Sequence, residues 1–468
     1  MRVLHTVYPS HAHFWPAVPI LQALQSAGHD VRVASHARFA GSIRAAGLTP
    51  IALGDPEAEE ARSRPDAMAP ARPEQVLRFA EALGLDDEER EHWIAYYQML
   101  LNAISDYIRT DLPYADELIS FARAWQPDLV LWDPIFACGP IVAKLCGAAH
   151  ARMVLGPDIL TFSFDKLAAR KAEVVAAGFP ENPQLDLLRP LAEKYGVAVD
   201  DELLFGQWSV DPMPRGMTLP SSGVRLPVRY VPFNGAETVP EWLYTKPDRP
   251  RVALTLGESV RRYIKGDWGR TPKIFEAVAD LDIEVVATLN ELQMLGIEKI
   301  PHNVKPIEWV TLNHLLPTCD VAIHHGGIGT WAAAVAANIP QIVCDTDESL
   351  MLLPVEVDPR TMEDGTYRIG FEFGVSEEVV ATVTTWELPG KKLEATPTSS
   401  YIVSKGAGAR LDHQKQSVEE IRKMILDVVT EPSYKVGAQA VYDDWLAMPS
   451  PADIIPSLER LVREHRVA

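Results

Sequence analysis

Apolar positions in this chain fall into short runs separated by helical spacing. RVLHTVY (Arg2–Tyr8) reads as a buried strand, and AVPILQALQSAGH (Ala17–His29) carries the i, i+3, i+4 spacing of a helix that stops at Gly28. DVRVAS and LTPIAL follow as a second and a third strand. Strand, helix, strand is the repeating unit of a parallel sheet. After a helix-rich stretch over 74–125, the alternation returns with DLVLWD (Asp128–Asp133), the helix GPIVAKLCGAA and the strand HARMVL.

The second half repeats the style. RVALTLG (Arg251–Gly257), IEVVATL (Ile283–Leu289), VKPIEW (Val304–Trp309), VAIHH (Val321–His325) and PQIV (Pro340–Val343) are its strands. The proline-rich stretch NGAETVPEWLYTKPDRP separates the halves. The pattern predicts an α/β protein of two Rossmann-like parallel-sheet domains: 1–235, a linker at 236–250, then 251–445. A C-terminal helix over 446–468, read from ADIIPSLERLVREHR, is expected to return to the first domain. Between 348 and 404 the period changes to alternation in TYRIGFEFGV and EVVATVTTWEL. That predicts an inserted β-rich segment, followed by PGKKLEATPTSS as an exposed loop.

Composition adjusts this picture at the margins. With 468 residues, 47% apolar and 23% charged, the chain is globular and long enough for two cores. Its net charge of −20 and lack of a basic run argue against nucleic acid or an anionic membrane as partner. Four scattered cysteines, without a CxxC pair, argue against a disulfide framework or zinc site. The N-terminus opens on a strand, and apolar runs stay short of the roughly 18 residues of a membrane span. A cytoplasmic, soluble protein is expected.

The most informative stretch is DVAIHHGGIGTWAAAVAAN (Asp320–Asn338). A strand ends in two histidines, and a helix begins after Gly326, Gly327 and Gly329. The glycines therefore occupy a strand-to-helix turn at the carboxyl end of a parallel sheet, where open α/β folds bind ligands. Glycine lets a backbone approach a ligand closely, and the N–H groups of a helix start favour anions. Gly329 N–H, Thr330 N–H, the Thr330 hydroxyl and His325 are candidate phosphate donors. GxGxxG is absent here and after the first strand, which disfavours a nicotinamide dehydrogenase. Adjacent strand histidines point oppositely, so a metal site is not expected.

HHGGIGT resembles the nucleotide-sugar motif of family 1 glycosyltransferases, which have the two-domain GT-B fold with a cleft between the domains. The resemblance implies an acceptor-binding first domain and a nucleotide-sugar-binding second domain. His325, Gly327, Gly329 and Thr330 then match the positions that hold the donor diphosphate, and Ser259 in LTLGESVR joins them. Trp309 and Val310 match the nucleobase segment. WQPDLVLWDPIFACGPIVAKLCGAAHARMVLGPD and AMPSPADIIPSLERL extend the likeness over nearly the whole chain. They are most similar to bacterial enzymes that attach TDP-activated deoxysugars to polyketide antibiotics such as macrolides and anthracyclines. That subgroup implies a TDP-sugar co-substrate, a hydrophobic acceptor, and no metal or cofactor. An auxiliary activator protein and a homodimer are its candidate partners, and the helical 74–125 region resembles the subgroup's.

Transfer to a hydroxyl needs a base, because an alcohol is a weak nucleophile until its proton leaves. Histidine suits the task near neutral pH. SHAHFWPAVP places His11 and His13 after the first strand, and Asp133 ends DLVLWD. If both strands share a sheet, residues 120 positions apart meet at one rim. The spacing to HFWP favours His13 over His11, and the resemblance implies a His13–Asp133 dyad. It also implies sugar contacts from acids soon after PQIV, where Asp345 and Asp347 stand. Two other readings remain at this point: an accessory subunit that binds nucleotide-sugar without transfer, and an epimerase or hydrolase on the same scaffold.

Overall fold

The computed structural model describes residues 1–55, 73–86, 114–136, 138–245, 247–257, 270–290, 292–294, 297–346, 353–356, 368–369, 383–386 and 395–466. A seven-stranded sheet occupies the first half, with β1 (Arg2–Thr6), β2 (Asp30–His36), β3 (Thr49–Leu53), β4 (Leu129–Trp132), β5 (Ala149–Met153), β6 (Trp208–Asp211) and β7 (Arg225–Pro227). Its order is β3-β2-β1-β4-β5-β6-β7, and every pairing is parallel. The second half holds β8 (Arg251–Thr255), β9 (Glu284–Thr288), β10 (Val304–Ile307), β11 (Val321–His324), β12 (Gln341–Cys344) and, later in the chain, β16 (Gly408–Leu411). These form a parallel sheet of order β10-β9-β8-β11-β12-β16. In both sheets the chain winds outward from the centre and then reverses, which opens a crevice at the strands' carboxyl ends.

Helices cover the sheets because their apolar faces need burial. The helix Val18–Ser26 buries Val18, Ile20, Leu21 and Leu24 on the first sheet. The helix Ile328–Ala336 packs Trp331 and a row of alanines inward, and small side chains let it lie close to its sheet. At the C-terminus, the helix Ile455–His465 buries Ile455, Leu458 and Val462 in the core beneath the first sheet. It thus crosses back to the first half of the chain, and Glu459 on it lies 3.2 Å from Nε2 of the largely buried His29 ring. No described helix is long and apolar enough to cross a membrane.

The interval 348–404 is only partly described. Three short strands, β13 (Leu353–Glu356), β14 (Arg368–Ile369) and β15 (Val383–Trp386), pair antiparallel in the order β14-β13-β15. The loop expected from PGKKLEATPTSS needs correction. Ala395–Ser404 is a helix that buries Ala395, Thr398, Ser399, Tyr401 and Ile402. Its threonines and serines looked solvated in sequence, but they satisfy buried groups of the second sheet's rim. Thr398 donates to Gly326 O at 2.9 Å, and Ser399 donates to Asp345 at 2.6 Å. Much of 74–125 lies outside the described residues.

Candidate active site

β1 and β4 are neighbours, with Thr6 in register with Trp132, so the residues that follow each strand share one rim. Asp133 is 1% exposed and His13 is 25% exposed, and Nδ1 of His13 lies 2.9 Å from Oδ2 of Asp133. The same carboxylate accepts from Tyr8 N–H at 3.2 Å and Ile135 N–H at 3.1 Å. Asp133 therefore pins the start of the β1 loop and holds the histidine that ends it. Burial acts to raise its pKa. The His13 ring and the two backbone donors outweigh burial and hold the carboxyl below its usual range. With Nδ1 on the carboxylate, Nε2 of His13 is left as the proton acceptor.

His11, the competitor, is used differently. Its ring stacks on Trp15 with centroids 4.5 Å apart, and its Nε2 meets the Ser42 hydroxyl at 3.1 Å. His5, on β1 itself, is buried against Leu131 O at 3.0 Å. Burial drives its pKa down to about 4, so it is neutral and structural.

The second rim explains the glycines. His324 is fully buried on β11, with Nε2 on Gln341 at 2.9 Å and Nδ1 accepting from Gly326 N–H at 3.1 Å. Burial lowers its pKa to about 4. His325 turns the other way and sits between two glycines. A Cβ on Gly257 would lie 2.4 Å from its Nε2, and one on Gly327 would lie 2.3 Å from the same atom. Gly326 has φ +87°, and a Cβ there would strike Ala395. So Gly326 is fixed by backbone conformation, and Gly327 by the room His325 needs.

Gly327 caps the helix Ile328–Ala336 with no side-chain bond. One expectation is corrected here. Thr330 N–H already donates to Gly327 O at 3.1 Å. Thr330 can thus offer its hydroxyl rather than its N–H, and Gly329 N–H lies ahead of the first intrahelical bond.

A cavity of about 460 Å³ joins the two rims. His13, Trp15 and Asp158 line it from the first half, and His325, Gly327, Gly329, Thr330, Trp309 and Val310 line it from the second. Trp309 is 39% exposed, and its ring centroid is 6.1 Å from that of Trp15. Val310 is buried. Ser259 and Asp347 lie outside the described residues. Asp345 does not line this cavity. Its carboxylate accepts from Thr396 at 3.0 Å, Ser399 at 2.6 Å and Arg410 at 2.9 Å. These internal partners oppose the sugar contact expected from sequence.

Sequence reasoning missed Gly257, Trp15, Tyr230 and Arg152, all of which line the cavity. Gly257 ends LTLG as Gly326 follows VAIHH, a parallel that flags it. A charge inside the apolar strand HARMVL was the signal for Arg152.

The chain matches the model described as Erythromycin biosynthesis protein CIII-like, N-terminal domain, over 22–257, and the corresponding C-terminal domain over 272–356. It is 32% identical to aclacinomycin-T 2-deoxy-L-fucose transferase of Streptomyces galilaeus, across 100% of this chain and 97% of that one. It is 33% identical to 10-deoxymethynolide desosaminyltransferase of Streptomyces venezuelae, across 100% and 98%. Among solved structures, glycosyltransferase VinC in complex with dTDP superposes with a TM-score of 0.73 at 28% identity, covering 99% of this chain and 100% of that one. Spinosyn forosaminyltransferase SpnP gives 0.70 at 28%, covering 99% of each. The chain has the GT-B architecture and belongs to the erythromycin biosynthesis protein CIII-like family of glycosyltransferases.

Proposed function

We propose that this protein moves a deoxysugar from a TDP-sugar to a hydroxyl of a polyketide-type acceptor, with inversion at the anomeric carbon, in antibiotic biosynthesis. The observation that carries the reading is a pairing across one cavity. A histidine held at 2.9 Å by a buried aspartate faces a glycine-seated histidine at a helix start.

In this mechanism the acceptor oxygen attacks the anomeric carbon as His13 Nε2 takes its proton. Asp133 stabilises the imidazolium that results. The bond from that carbon to the diphosphate breaks, and negative charge grows on the leaving TDP. His325, Gly329 N–H and the Thr330 hydroxyl stabilise that charge, and Ser259 joins them on the strength of the sequence resemblance. Donors fixed in advance at developing charge act most strongly in the transition state. Trp309 and Val310 hold the base. Residues 1–235 then serve the acceptor, 251–445 the nucleotide-sugar, with 236–250 as linker and 446–468 returning to the first domain. The site would work in the cytoplasm, with an auxiliary activator or a second copy of the chain as candidate partners.

The His13–Asp133 contact favours this reading over a non-catalytic nucleotide-sugar binder, which has no use for a base. The test is incubation with TDP-deoxysugars and polyketide aglycones, read by product mass, beside calorimetric titrations of TDP and UDP. A product heavier by one deoxysugar and tighter TDP binding are expected. Free sugar without glycosylated acceptor would favour a hydrolase instead.

A further inference from the structure

Past β7 the chain runs along the cavity wall through Tyr230, Phe233 and Asn234 before it enters the linker. Asn234 is 8% exposed. Its Oδ1 accepts from Asn313 N–H at 3.1 Å, and Asn313 Nδ2 donates back to Pro232 O at 3.0 Å. Thr311 adds a third tie, its hydroxyl donating to Glu237 at 3.2 Å. Asn313 belongs to the helical turn Leu312–Leu315, which follows closely on Trp309 and Val310. The end of the first domain is thereby fastened to the segment assigned to the nucleobase.

These bonds fix the Asn234 amide. A backbone N–H can meet only the carbonyl oxygen of an amide, so Oδ1 turns to Asn313 and the NH2 group takes the other branch. Nδ2 makes no hydrogen bond among the described residues, yet it is not enclosed by protein. It is therefore a donor that a ligand in the cavity can reach. Its surroundings say which part of the ligand. The Phe233 and Trp15 ring centroids are 6.4 Å apart, a Cβ on Gly235 would lie 3.9 Å from the Trp15 ring, and the Trp15 and Trp309 centroids are 6.1 Å apart. Both chain neighbours of Asn234 thus lie toward the Trp15–Trp309 pair. That part of the wall is aromatic and apolar, whereas a charged leaving group is met at His325 and the helix start. A neutral amide donor beside Trp309 suits a neutral carbonyl on the edge of a stacked ring.

Resting on the reading of a TDP-sugar donor, we propose that Asn234 is a specificity residue for the nucleobase, with Nδ2 donating to a ring carbonyl of thymine while Trp309 holds the face of the ring. Oδ1 is already engaged, so the side chain offers the base a donor and no acceptor. In an apolar pocket a few placed polar groups set orientation while the rings supply affinity. Because Asn234 comes from the first domain and Trp309 from the second, the base is gripped from both halves of the chain.

The experiment titrates wild type, Asn234→Ala, Asn234→Asp and Asn313→Ala by calorimetry with TDP and with its 2-thio and 4-thio analogues. Sulfur accepts a hydrogen bond weakly, so the analogue altered at the contacted carbonyl should bind wild type about fivefold more weakly than TDP. In Asn234→Ala, which has no donor to lose, that gap should close to within twofold. Asn234→Asp keeps Oδ1 on Asn313 N–H but sets an anionic acceptor where the donor stood. It should bind TDP roughly tenfold or more weakly than wild type. Asn313→Ala removes the tie to Pro232 yet leaves its own N–H on Asn234, so its TDP affinity should stay within twofold. If Asn234→Asp does not fold, the thio gap in Asn234→Ala carries the test.

The proposal is overturned if wild type binds both thio analogues as it binds TDP, or if the gap persists in Asn234→Ala. It is also overturned by TDP affinity close to wild type in Asn234→Asp, or by an equal loss in Asn313→Ala. A wild type that fails to bind TDP overturns the transferase reading itself.

Discussion

The two rims of the cavity are built from the same parts and tuned to different ends. Each follows a central parallel strand, and each strand carries a buried histidine, His5 or His324, that burial keeps neutral with a pKa of about 4. After each strand comes a histidine that faces the cavity, His13 or His325. What differs is the seat. His13 has a buried carboxylate at 2.9 Å, which stabilises a proton once gained. His325 has glycines at 257 and 327, which open the rim to a ligand's close approach. The carboxylate seat suits a base, and the glycine seat suits a donor to an anion.

The sharpest break of this comparison is to truncate each histidine. His13→Ala should lower turnover by about 10²–10⁴-fold with TDP affinity within twofold, since a positioned base contributes about that much. His325→Ala should instead weaken TDP binding by about tenfold or more, alongside a loss of turnover, because it removes a donor to charge. Steady-state kinetics with TDP calorimetry separates the two. Equal effects of both variants on TDP affinity would collapse the distinction.

Gly327→Ala probes the glycine seat alone. The backbone there has φ −63°, which alanine adopts freely, so the added methyl acts only by meeting the His325 ring. We expect about a tenfold loss of TDP affinity, near that of losing one charge-assisted hydrogen bond, and little change in melting temperature. Trp309→Ala should cost about fivefold in TDP affinity, the lower end of the ~1–3 kcal/mol that stacking on a base is worth. Being 39% exposed, Trp309 should contribute little to stability.

The buried strand histidines act on stability rather than on ligand binding. His5, His150 and His324 have folded pKa values near 4, below the 6.5 of the unfolded chain. Between those values the unfolded state binds more protons, so stability falls as pH falls from 6.5 towards 4. Asp211, raised by burial to about 6, acts in the opposite sense over much of that window. Three histidines against one aspartate predict a lower melting temperature at pH 4.5 than at pH 7. His324→Gln should flatten the slope by up to about 1.4 kcal/mol per pH unit.

Much of the fold was legible because parallel strands buried on both faces read as apolar runs, as in DLVLWD and VAIHH. β6, β7 and β16 were not, since WSVD, RLP and GARL are short and half polar. The helix Ala395–Ser404 was hidden for a similar reason, because its hydroxyls are satisfied only by contacts distant in sequence. At the site, HHGGIGT marked a glycine turn between a strand and a helix, and HAHF with DLVLWD held the histidine and aspartate that the structure brings within 2.9 Å. Pattern alone showed neither that Asp345 turns inward onto Arg410 nor that Ser399 donates to it. Those depend on how β12, β16 and the helix Ala395–Ser404 come together, which local sequence does not encode.

The most direct test is a crystal structure with TDP and a bound polyketide aglycone. The diphosphate is expected at Gly329, Thr330 and His325, and an acceptor hydroxyl within hydrogen-bond reach of His13 Nε2 on the side facing the diphosphate. A diphosphate bound away from that helix start, or a hydroxyl directed away from His13, would contradict it.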